Sequence, residues 1–429
     1  MSSSSLHRLL YPGLLLFGMS LPLSKSASNI LLVALYLVAL VGAFYNKEFR
    51  DDLMRSCRQP LTAALALFSL IAYIGIIHTG NYADGFSIAN KFVSLPAIYF
   101  LVSVLLQSDR SEDAGARKAE FLLFAFLVGL SALNLFGVMT FLGVLGDGKY
   151  VVPLAPLGMH HIWFSNVNAL GIYTAVAFLL FTRYGTSARG RTAFGSCLLL
   201  SACCILLSTS RTAWFSLAVT ALVLAAVSIK NKKTVVLVVL LSVLAFASMY
   251  RFFPLVHDRV NLISEDIALY ADNKKAESSI GGRILMWRAA WRMFEWHPYI
   301  GVGTGDFQRT MKVFRRSRLV PFYLLAFNQP HNMYLFSMAT NGIAGLTALL
   351  YIFYRSLRSS APIIRSDGAG KLFAFLAMAT AVHFMVAGTM DSFFNIQILR
   401  FSFAFIMGVC IRSSANCAGP AAPPRCPPP

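Results

Sequence analysis

Three short segments place residues that can bind an anion or accept a proton beside helix-length apolar runs. The first, Ser208–Trp214, separates two such runs with almost no loop. Its hydroxyl residues, Ser210 among them, are favourable N-caps, so Arg211 is predicted on the first turn of the next helix. Backbone N–H groups, the positive end of the helix dipole and a guanidinium would converge there, as in phosphate sites. The alternative is an arginine that only extends to a membrane interface.

A second segment is predicted to form an amphipathic surface helix near 281–296. Its spacing is helical from residue 283, and Pro298 ends it. Arg283 lies at the N-terminal end, behind two glycines, where it can contact an anion. Trp287 and Trp291 follow at intervals of four and share a face with Arg283, which suits a helix at lipid headgroup level.

Two neighbouring features of this segment have less specific interpretations. Arg288 is a possible supporting residue of the anion site. The preferred interpretation of Arg288 and Arg292 is that they pair with Glu295 and with lipid phosphates. The glycine-rich stretch 297–307 lacks the strand and the Gly-Lys-Ser/Thr ending of phosphate-binding loops, so it predicts a tight loop that shapes the site.

The third segment, Gln329–Leu335, marks the return of the chain to an apolar run. Pro330 suits a helix start, which places His331 on the first turn, with Asn332 beside it as a possible supporting residue. An imidazole with a pKa near 6.5 can take a proton from a hydroxyl nucleophile. The alternative for an interfacial histidine is a structural role.

The composition indicates an all-α, polytopic membrane protein. Of the 429 residues, 57% are hydrophobic and 13% are charged, against roughly 25% charged in soluble domains. About twelve runs are long and apolar enough to be transmembrane helices. Their approximate cores are residues 9–23, 29–45, 60–78, 91–107, 119–145, 160–182, 192–209, 212–229, 234–250, 331–354, 371–389 and 392–411.

The distribution of Lys and Arg between alternate loops predicts the orientation. With a cytoplasmic N-terminus, the inner loops and termini carry twenty Lys or Arg. The short outer loops carry only four, which are Lys25, Lys91, Lys149 and Arg211. Because basic loops stay in the cytoplasm, we expect both termini inside. Most of the net charge of +19 is then a consequence of topology, and nucleic acid is not a predicted partner.

These expectations divide the chain into four regions. Residues 1–250 would hold transmembrane helices one to nine, and 331–412 helices ten to twelve. Between them, 251–330 would form one large periplasmic loop, whose twelve Lys or Arg against seven acids favour an anionic partner. The Pro-rich tail 413–429 is predicted to be disordered and cytoplasmic. The seven cysteines lie in predicted helices or inner segments, so no external disulfide framework is expected.

The sequence gives little support to a metal cofactor. No DxD, HExxH or Cys/His cluster occurs on the predicted outer side, so we expect no metal and no other cofactor. A leaving pyrophosphate would have to be stabilised by arginines.

The order of these motifs resembles the O-antigen ligase and polymerase superfamily, most closely the lipid A core O-antigen ligases. The resemblance rests on Thr-Ser-Arg-Thr-Ala-Trp at a helix start, Gly-Arg-x-x-x-Trp and His-Pro-x-x-Gly-x-Gly in the long loop, and His-Asn-x-x-Leu at re-entry. It covers essentially the membrane part of the chain. The motifs are moderately specific singly, and their order adds to their weight.

The resemblance implies a metal-independent, inverting membrane glycosyltransferase with a GT-C-like fold. Such enzymes take O-antigen polysaccharide from undecaprenyl pyrophosphate and attach it to a sugar hydroxyl of lipid A core, at the periplasmic face of the bacterial inner membrane. Carried over by residue, Arg211 and Arg283 would hold the pyrophosphate, and His331 would activate the acceptor hydroxyl. The partners would be the lipid-linked donor, the lipid A core acceptor and membrane lipids.

Other functions compete with this interpretation. An O-antigen polymerase would use the same donor with a second lipid-linked glycan as acceptor. A protein O-oligosaccharyltransferase usually has additional C-terminal sequence. A secondary transporter would have charges in mid-span, paired broken helices and two similar halves, whereas this sequence clusters its charges at helix ends.

Overall fold

The computed structural model describes residues 3–107, 112–145, 150–258, 260–262, 279–365, 368 and 370–417. All regular secondary structure in these ranges is helical. The helices of the first half are α1 (Ser3–Leu23), α2 (Lys25–Tyr45), α3 (Lys47–Cys57), α4 (Pro60–Ile74), α5 (Tyr82–Gln107), α6 (Glu112–Phe141), α7 (His161–Phe181) and α8 (Ala188–Leu207). Those of the second half are α9 (Arg211–Ser228), α10 (Lys232–Phe252), α11 (Ser279–Trp296), α12 (Phe307–Arg316), α13 (Met333–Ile364), α14 (Lys371–Ala387) and α15 (Gln397–Cys417).

Side-chain caps define several helix starts where the chain has almost no loop. The Ser24 hydroxyl accepts a hydrogen bond from Ala27 N at 3.2 Å, and Ser187 caps α8 in the same way. Each cap satisfies a backbone N–H that the first turn leaves without an intrahelical partner. Sharp turns between long helices therefore need few residues.

Helices α14 and α15 form the centre of the bundle, because nearly all of their described side chains are buried. Helix α14 packs against α7, α9 and α13, and α15 packs against α5 and α6. Helix α2 has an exposed, almost wholly apolar surface. Exposed apolar surface around a buried centre is the arrangement expected of a protein surrounded by lipid.

The chain is a multi-pass membrane protein, although twelve spans are not confirmed. In the described residues, eight helices are long and apolar enough to cross a membrane, and the segments Leu9–Leu23 and Lys371–Ala387 are shorter apolar helices. At about 1.5 Å per residue, the 17 residues of α14 fall short of a hydrocarbon core roughly 30 Å thick. The two remaining predicted runs lie in α10 and α15, which belong to neither group. The GT-C-like arrangement stays a prediction.

The first residues of the predicted tail, 413–417, are helical. Helix α15 continues to Cys417, because buried residues such as Ser413 and Ser414 extend its packed face beyond residue 412. The rest of the predicted disordered tail lies outside the described residues. The part of the predicted periplasmic loop at 263–278 also lies outside them.

The glycine-rich loop inserts into a break in α13. Gly342, with φ of +63°, interrupts that helix. Ile343 N bonds to Pro298 O at 2.8 Å, and Val302 N bonds to Ala339 O at 2.8 Å, so the loop satisfies the backbone groups freed by the break. Gly301 has φ of +70°, and a Cβ there would lie 2.3 Å from the carbonyl carbon of Thr340. The loop thus joins α11 to the bundle, which explains its glycines without a phosphate.

Candidate functional site

The three segments singled out in the sequence meet at one end of the helix bundle. They surround a cavity of about 420 Å³, here called the arginine cavity. Its lining is His160, His161, Ile162, Thr209, Ser210, Arg211, Thr212, Gly282, Arg283, Met286, Tyr323, Leu324, Phe327 and His331. The structure therefore brings Arg211, Arg283, His331 and Ser210 together across a sequence separation of more than a hundred residues.

The turn between α8 and α9 supplies one wall of the arginine cavity. Ser210 is the N-cap of α9, and its hydroxyl accepts a hydrogen bond from Ala213 N at 3.4 Å. Arg211, the first residue of α9, is half-buried. The helix N-terminus and the guanidinium therefore face the same space, which favours an anionic ligand there.

Thr209 contributes a buried hydroxyl to this wall. The residue is 3% exposed, and its Oγ1 has no hydrogen-bond partner among the described residues. Its backbone has φ of +51°, an uncommon conformation for a β-branched residue. Buried hydroxyls are usually hydrogen-bonded, and strained backbone is concentrated at functional sites. A ligand in the cavity would give the hydroxyl a partner.

Helix α11 supplies the opposite wall. It buries Met286, Ala289, Ala290 and Met293, and it packs on α13. Arg283, one turn from the start of α11, is half-buried and lines the cavity. Packing of the apolar face therefore sets the position of Arg283.

His331 forms a dyad with Asp391. His331 Nδ1 lies 3.1 Å from Asp391 Oδ1, and the carboxylate is almost completely buried at 2% exposure. A carboxylate can only accept, so Nδ1 carries the hydrogen and Nε2 is left with a lone pair to accept a proton. Asp391 Oδ1 also accepts from Ser392 N at 2.8 Å. An oriented imidazole of this kind is suited to general base chemistry.

The backbone around His331 is held on both sides. Trp287 Nε1 donates to Pro330 O at 3.0 Å, which ties the histidine to α11. The Asn332 side chain caps α13 by accepting from Tyr334 N and Leu335 N, both at 3.0 Å. His331 itself has φ of +50° and precedes the helix, so its predicted place on the first turn is wrong. Asn332 is the capping residue, because its short amide side chain can bond the free N–H groups.

His160 is a further polar residue at the cavity, and its pKa is perturbed. Burial lowers the pKa of His160, the Asp391 carboxylate opposes that effect, and the neighbouring His331 and Arg283 lower it further. The ring stacks on His161 with centroids 4.5 Å apart. A neutral imidazole is therefore favoured at this position.

Arg288 does not reach the arginine cavity. Together with Arg292 it borders a separate groove on the other side of α11, which Trp287 and Trp291 also line. Among the described residues neither arginine forms an ion pair with Glu295, so that expected pairing is wrong. Instead, the Glu295 carboxylate accepts from Trp291 Nε1 at 2.7 Å, because residues four apart lie on one helix face.

Sequence reasoning missed Asp391 and Thr209. Asp391 belongs to none of the motifs in the sequence, and the packing of the α14–α15 connection against the start of α13 brings it to His331. Thr209 belonged to a segment already singled out, but nothing in the sequence distinguished its hydroxyl from its neighbours. Within the described residues, no three His, Cys, Asp or Glu side chains form a potential metal-binding group.

Comparison with known proteins supports the superfamily that the motifs indicate. The family model described as O-Antigen ligase matches residues 196–350. This stretch runs from α8 into α13 and contains Arg211, Arg283 and His331, whereas Asp391 lies beyond it. No curated protein matches the chain. The match supports the O-antigen ligase superfamily for this multi-pass membrane protein and suggests a glycosyltransferase-like enzyme with lipid-linked glycan substrates.

Proposed function

We propose that this protein is an O-antigen ligase that transfers a polysaccharide from undecaprenyl pyrophosphate to a sugar hydroxyl of lipid A core. The observation that carries the proposal is the arginine cavity itself, where an oriented histidine faces the same space as two arginines and a helix N-terminus. A base opposite a cationic site is what displacement of a pyrophosphate from a sugar requires.

In the proposed reaction His331 Nε2 takes the proton of the acceptor hydroxyl. The acceptor oxygen attacks the anomeric carbon of the donor sugar, and the bond between that carbon and the pyrophosphate oxygen breaks. Attack opposite the leaving group inverts the configuration. The proton leaves His331 for water after each transfer.

Arg211 and Arg283 would hold the leaving pyrophosphate. Its negative charge increases as the sugar–oxygen bond breaks, so fixed guanidinium groups stabilise the transition state more than the ground state. The N–H groups at the start of α9 and the Thr209 hydroxyl would complete the binding of the phosphate oxygens. The arginines thereby supply the charge that a metal ion supplies in other transferases.

The location of the reaction follows from the predicted topology. The loop charges support cytoplasmic termini and a periplasmic position for the arginine cavity, and the resemblance to O-antigen ligases supports the bacterial inner membrane. A donor that remains anchored by its polyprenyl chain could present its pyrophosphate at this end.

A transfer assay with purified protein tests the proposal. Undecaprenyl-pyrophosphate glycan and lipid A core are mixed with the protein in EDTA, and we expect glycosylated lipid A core as product. Product that appears only after Mg²⁺ is added would contradict the arginine mechanism. Longer glycans on the lipid carrier would instead identify a polymerase, and a modified protein acceptor an oligosaccharyltransferase.

Arginine variants test the proposed pyrophosphate contacts. We expect Arg211→Lys and Arg283→Lys to lose most activity while inserting normally, because lysine cannot reproduce a bidentate contact. Arg288→Lys is the matched control, since Arg288 is exposed, lies on α11 like Arg283 and is outside the arginine cavity. Full turnover in either cavity variant would remove that arginine from the site.

A further inference from the structure

A second cavity lies beside the arginine cavity at the same end of the bundle. It has a volume of about 290 Å³ and is here called the lysine cavity. Its lining is Lys25, Ile88, Lys91, Trp163, Asn328, Gln329, Phe336, Asn395, Ile396 and Gln397.

One short segment, residues 327–331, borders both cavities. In the segment before α13, Phe327 and His331 line the arginine cavity, whereas Asn328 and Gln329 line the lysine cavity. Gln329 Nε2 lies 3.4 Å from Asp391 Oδ1. The lysine cavity therefore begins within two positions of His331, at Gln329.

The lysine cavity has the side chains that bind sugars. Four amides line it, and the Asn395 amide is fixed because its Nδ2 donates to Gln329 Oε1 at 3.1 Å. Asn395 Oδ1 is buried and has no hydrogen-bond partner among the described residues. An acceptor of this kind matches a sugar hydroxyl. The half-buried Trp163 adds an aromatic surface.

The lysine cavity is also positively charged. Neither Lys25 nor Lys91 has a carboxylate within ion-pair distance among the described residues, and Lys25 Nζ lies 5.4 Å from the Trp163 ring centre. Beneath them, the buried Arg400 bonds Ser94 Oγ and Phe394 O, both at 2.7 Å. Lys25 and Lys91 are two of only four basic residues that the sequence assigns to the short outer loops, where topology does not require them.

We propose that the lysine cavity is a subsite for an anionic sugar, one that carries a phosphate or a carboxylate, on a glycan whose reacting end lies at His331. The inference rests on the proposed function for the identity of that glycan. The lysine cavity would select a charged sugar. The arginine cavity does not account for this preference, because its proposed ligand is the pyrophosphate.

Transfer kinetics test the subsite and identify the glycan that occupies it. The KM values of K25Q/K91Q are compared with those of the unaltered protein. The substrates are acceptors with and without a phosphate and lipid-linked donors with and without a uronic acid. We expect the KM for one acidic substrate to rise roughly tenfold, with little change in kcat, because two charge-assisted contacts are lost. A rise for the acceptor places the acceptor there, and a rise for the donor places the donor glycan there. The substrates that lack the added phosphate or uronic acid should keep their KM.

The matched control is K232Q/K233Q, which removes two exposed lysines at the start of α10, outside both cavities. Unchanged KM values in K25Q/K91Q, or equal changes in both double variants, would overturn the inference.

A binding measurement separates this inference from the proposed function. Glucose 6-phosphate is added to the full-length protein in nanodiscs, with glucose and inorganic phosphate as controls, and saturation-transfer NMR detects the bound sugar. We expect the glucose 6-phosphate signal to exceed that of glucose and to be lost in K25Q/K91Q but not in K232Q/K233Q. Equal signals in the two variants, or no binding to the unaltered protein, would overturn the subsite. Selective binding by a protein that transfers no glycan would defeat the proposed function alone.

Discussion

Asp391 orients His331, and its substitution tests whether that orientation matters. In Asp391→Asn the amide can donate to Nδ1, which favours the tautomer with the hydrogen on Nε2 and leaves no base. We expect kcat to fall by about 10²-fold or more, the usual contribution of a general base, with a small change in donor KM. Transfer kinetics and the pH–rate profile are the measurements.

The control for this substitution is Asp84→Asn. Asp84 is an exposed residue on the first turn of α5, and among the described residues its carboxylate accepts a hydrogen bond from Asn81. It should retain normal kinetics. If D391N keeps the kcat of the unaltered protein, the contact between His331 and Asp391 is structural and has no role in proton transfer.

The Thr209 hydroxyl is expected to bind the donor directly. Thr209→Val keeps the shape of the side chain and removes a hydroxyl that has no described partner, so stability should change little. Loss of a hydrogen bond to a charged group costs about 1.5–3 kcal/mol, and we expect donor affinity to fall roughly tenfold or more. Binding of undecaprenyl pyrophosphate measures the effect.

Thr380→Val is the comparison for T209V. The Thr380 hydroxyl is likewise buried without a hydrogen bond among the described residues, but it lies on α14 away from both cavities. Similar donor affinity in T209V and T380V would contradict a role for Thr209 in binding.

The sequence predicts a site residue when its neighbours along the chain indicate its role. Arg211 was indicated by hydroxyl caps beside it in the sequence, and His331 by a proline and a return to apolar residues. Asp391 had no such signal, because its partner is sixty residues away and the contact depends on packing between helices. The left-handed backbone of His331 was also unpredictable, since only tertiary contacts stabilise it.

At the scale of elements, the Trp287–Pro330 hydrogen bond connects α11 to the His331 segment. Trp287→Phe removes the donor while it keeps most of the aromatic packing. We expect kcat to fall roughly fivefold, because a typical hydrogen bond contributes about 1 kcal/mol, while the donor KM stays nearly constant. Trp291→Phe removes a hydrogen bond to Glu295 on the exposed face of α11 and should be neutral. Equal activities in the two variants would contradict a positioning role for Trp287.

The loop inserted at the break in α13 gives a prediction about stability. Gly301→Ala should lower the free energy of unfolding by at least about 1–3 kcal/mol, because it adds strain at positive φ and a clash with the Thr340 backbone. Gly195→Ala places a methyl group where no atom lies within 4 Å and should be neutral or slightly stabilising. Thermal unfolding in detergent, followed by size-exclusion chromatography, compares the two.

The positions of the helices were predicted better than the breaks within them. Each of the twelve predicted runs coincides with a helix over most of its length, because long apolar runs have few other ways to satisfy their backbone in a membrane. The break at Gly342 was not predicted, since a glycine in a helix usually leaves it continuous. Its partner, the loop at 298–303, is recognisable only after both segments are placed.

At the scale of the whole molecule, the predicted orientation can be tested by labelling. In a variant whose seven native cysteines are replaced by alanine, single cysteines are introduced at Ser317 and at Thr186. Ser317 lies between α12 and the segment before α13, Thr186 lies in the connection between α7 and α8, and both positions are exposed. We expect an impermeant maleimide to label Ser317→Cys from the periplasm and Thr186→Cys only after the inner membrane is permeabilised. The reverse pattern would place the arginine cavity in the cytoplasm and contradict the proposed location.

The overall class was predictable because composition and loop charge act along the entire chain. The packing of the α14–α15 centre and the number of true spans were not, since hydropathy does not distinguish a helix buried in protein from one surrounded by lipid. The short length of α14 shows that an apolar helix at the centre of the bundle need not span the bilayer alone.

The Trp287 contact also couples two residues of the arginine cavity mechanically. Helix α11 carries Arg283 on one turn and, through Trp287 on the next, bonds to the segment before His331. A displacement of α11 would therefore move Arg283 and break this contact to Pro330 in the same step, so the two groups to which the proposed function gives pyrophosphate binding and proton transfer depend on the seating of one helix.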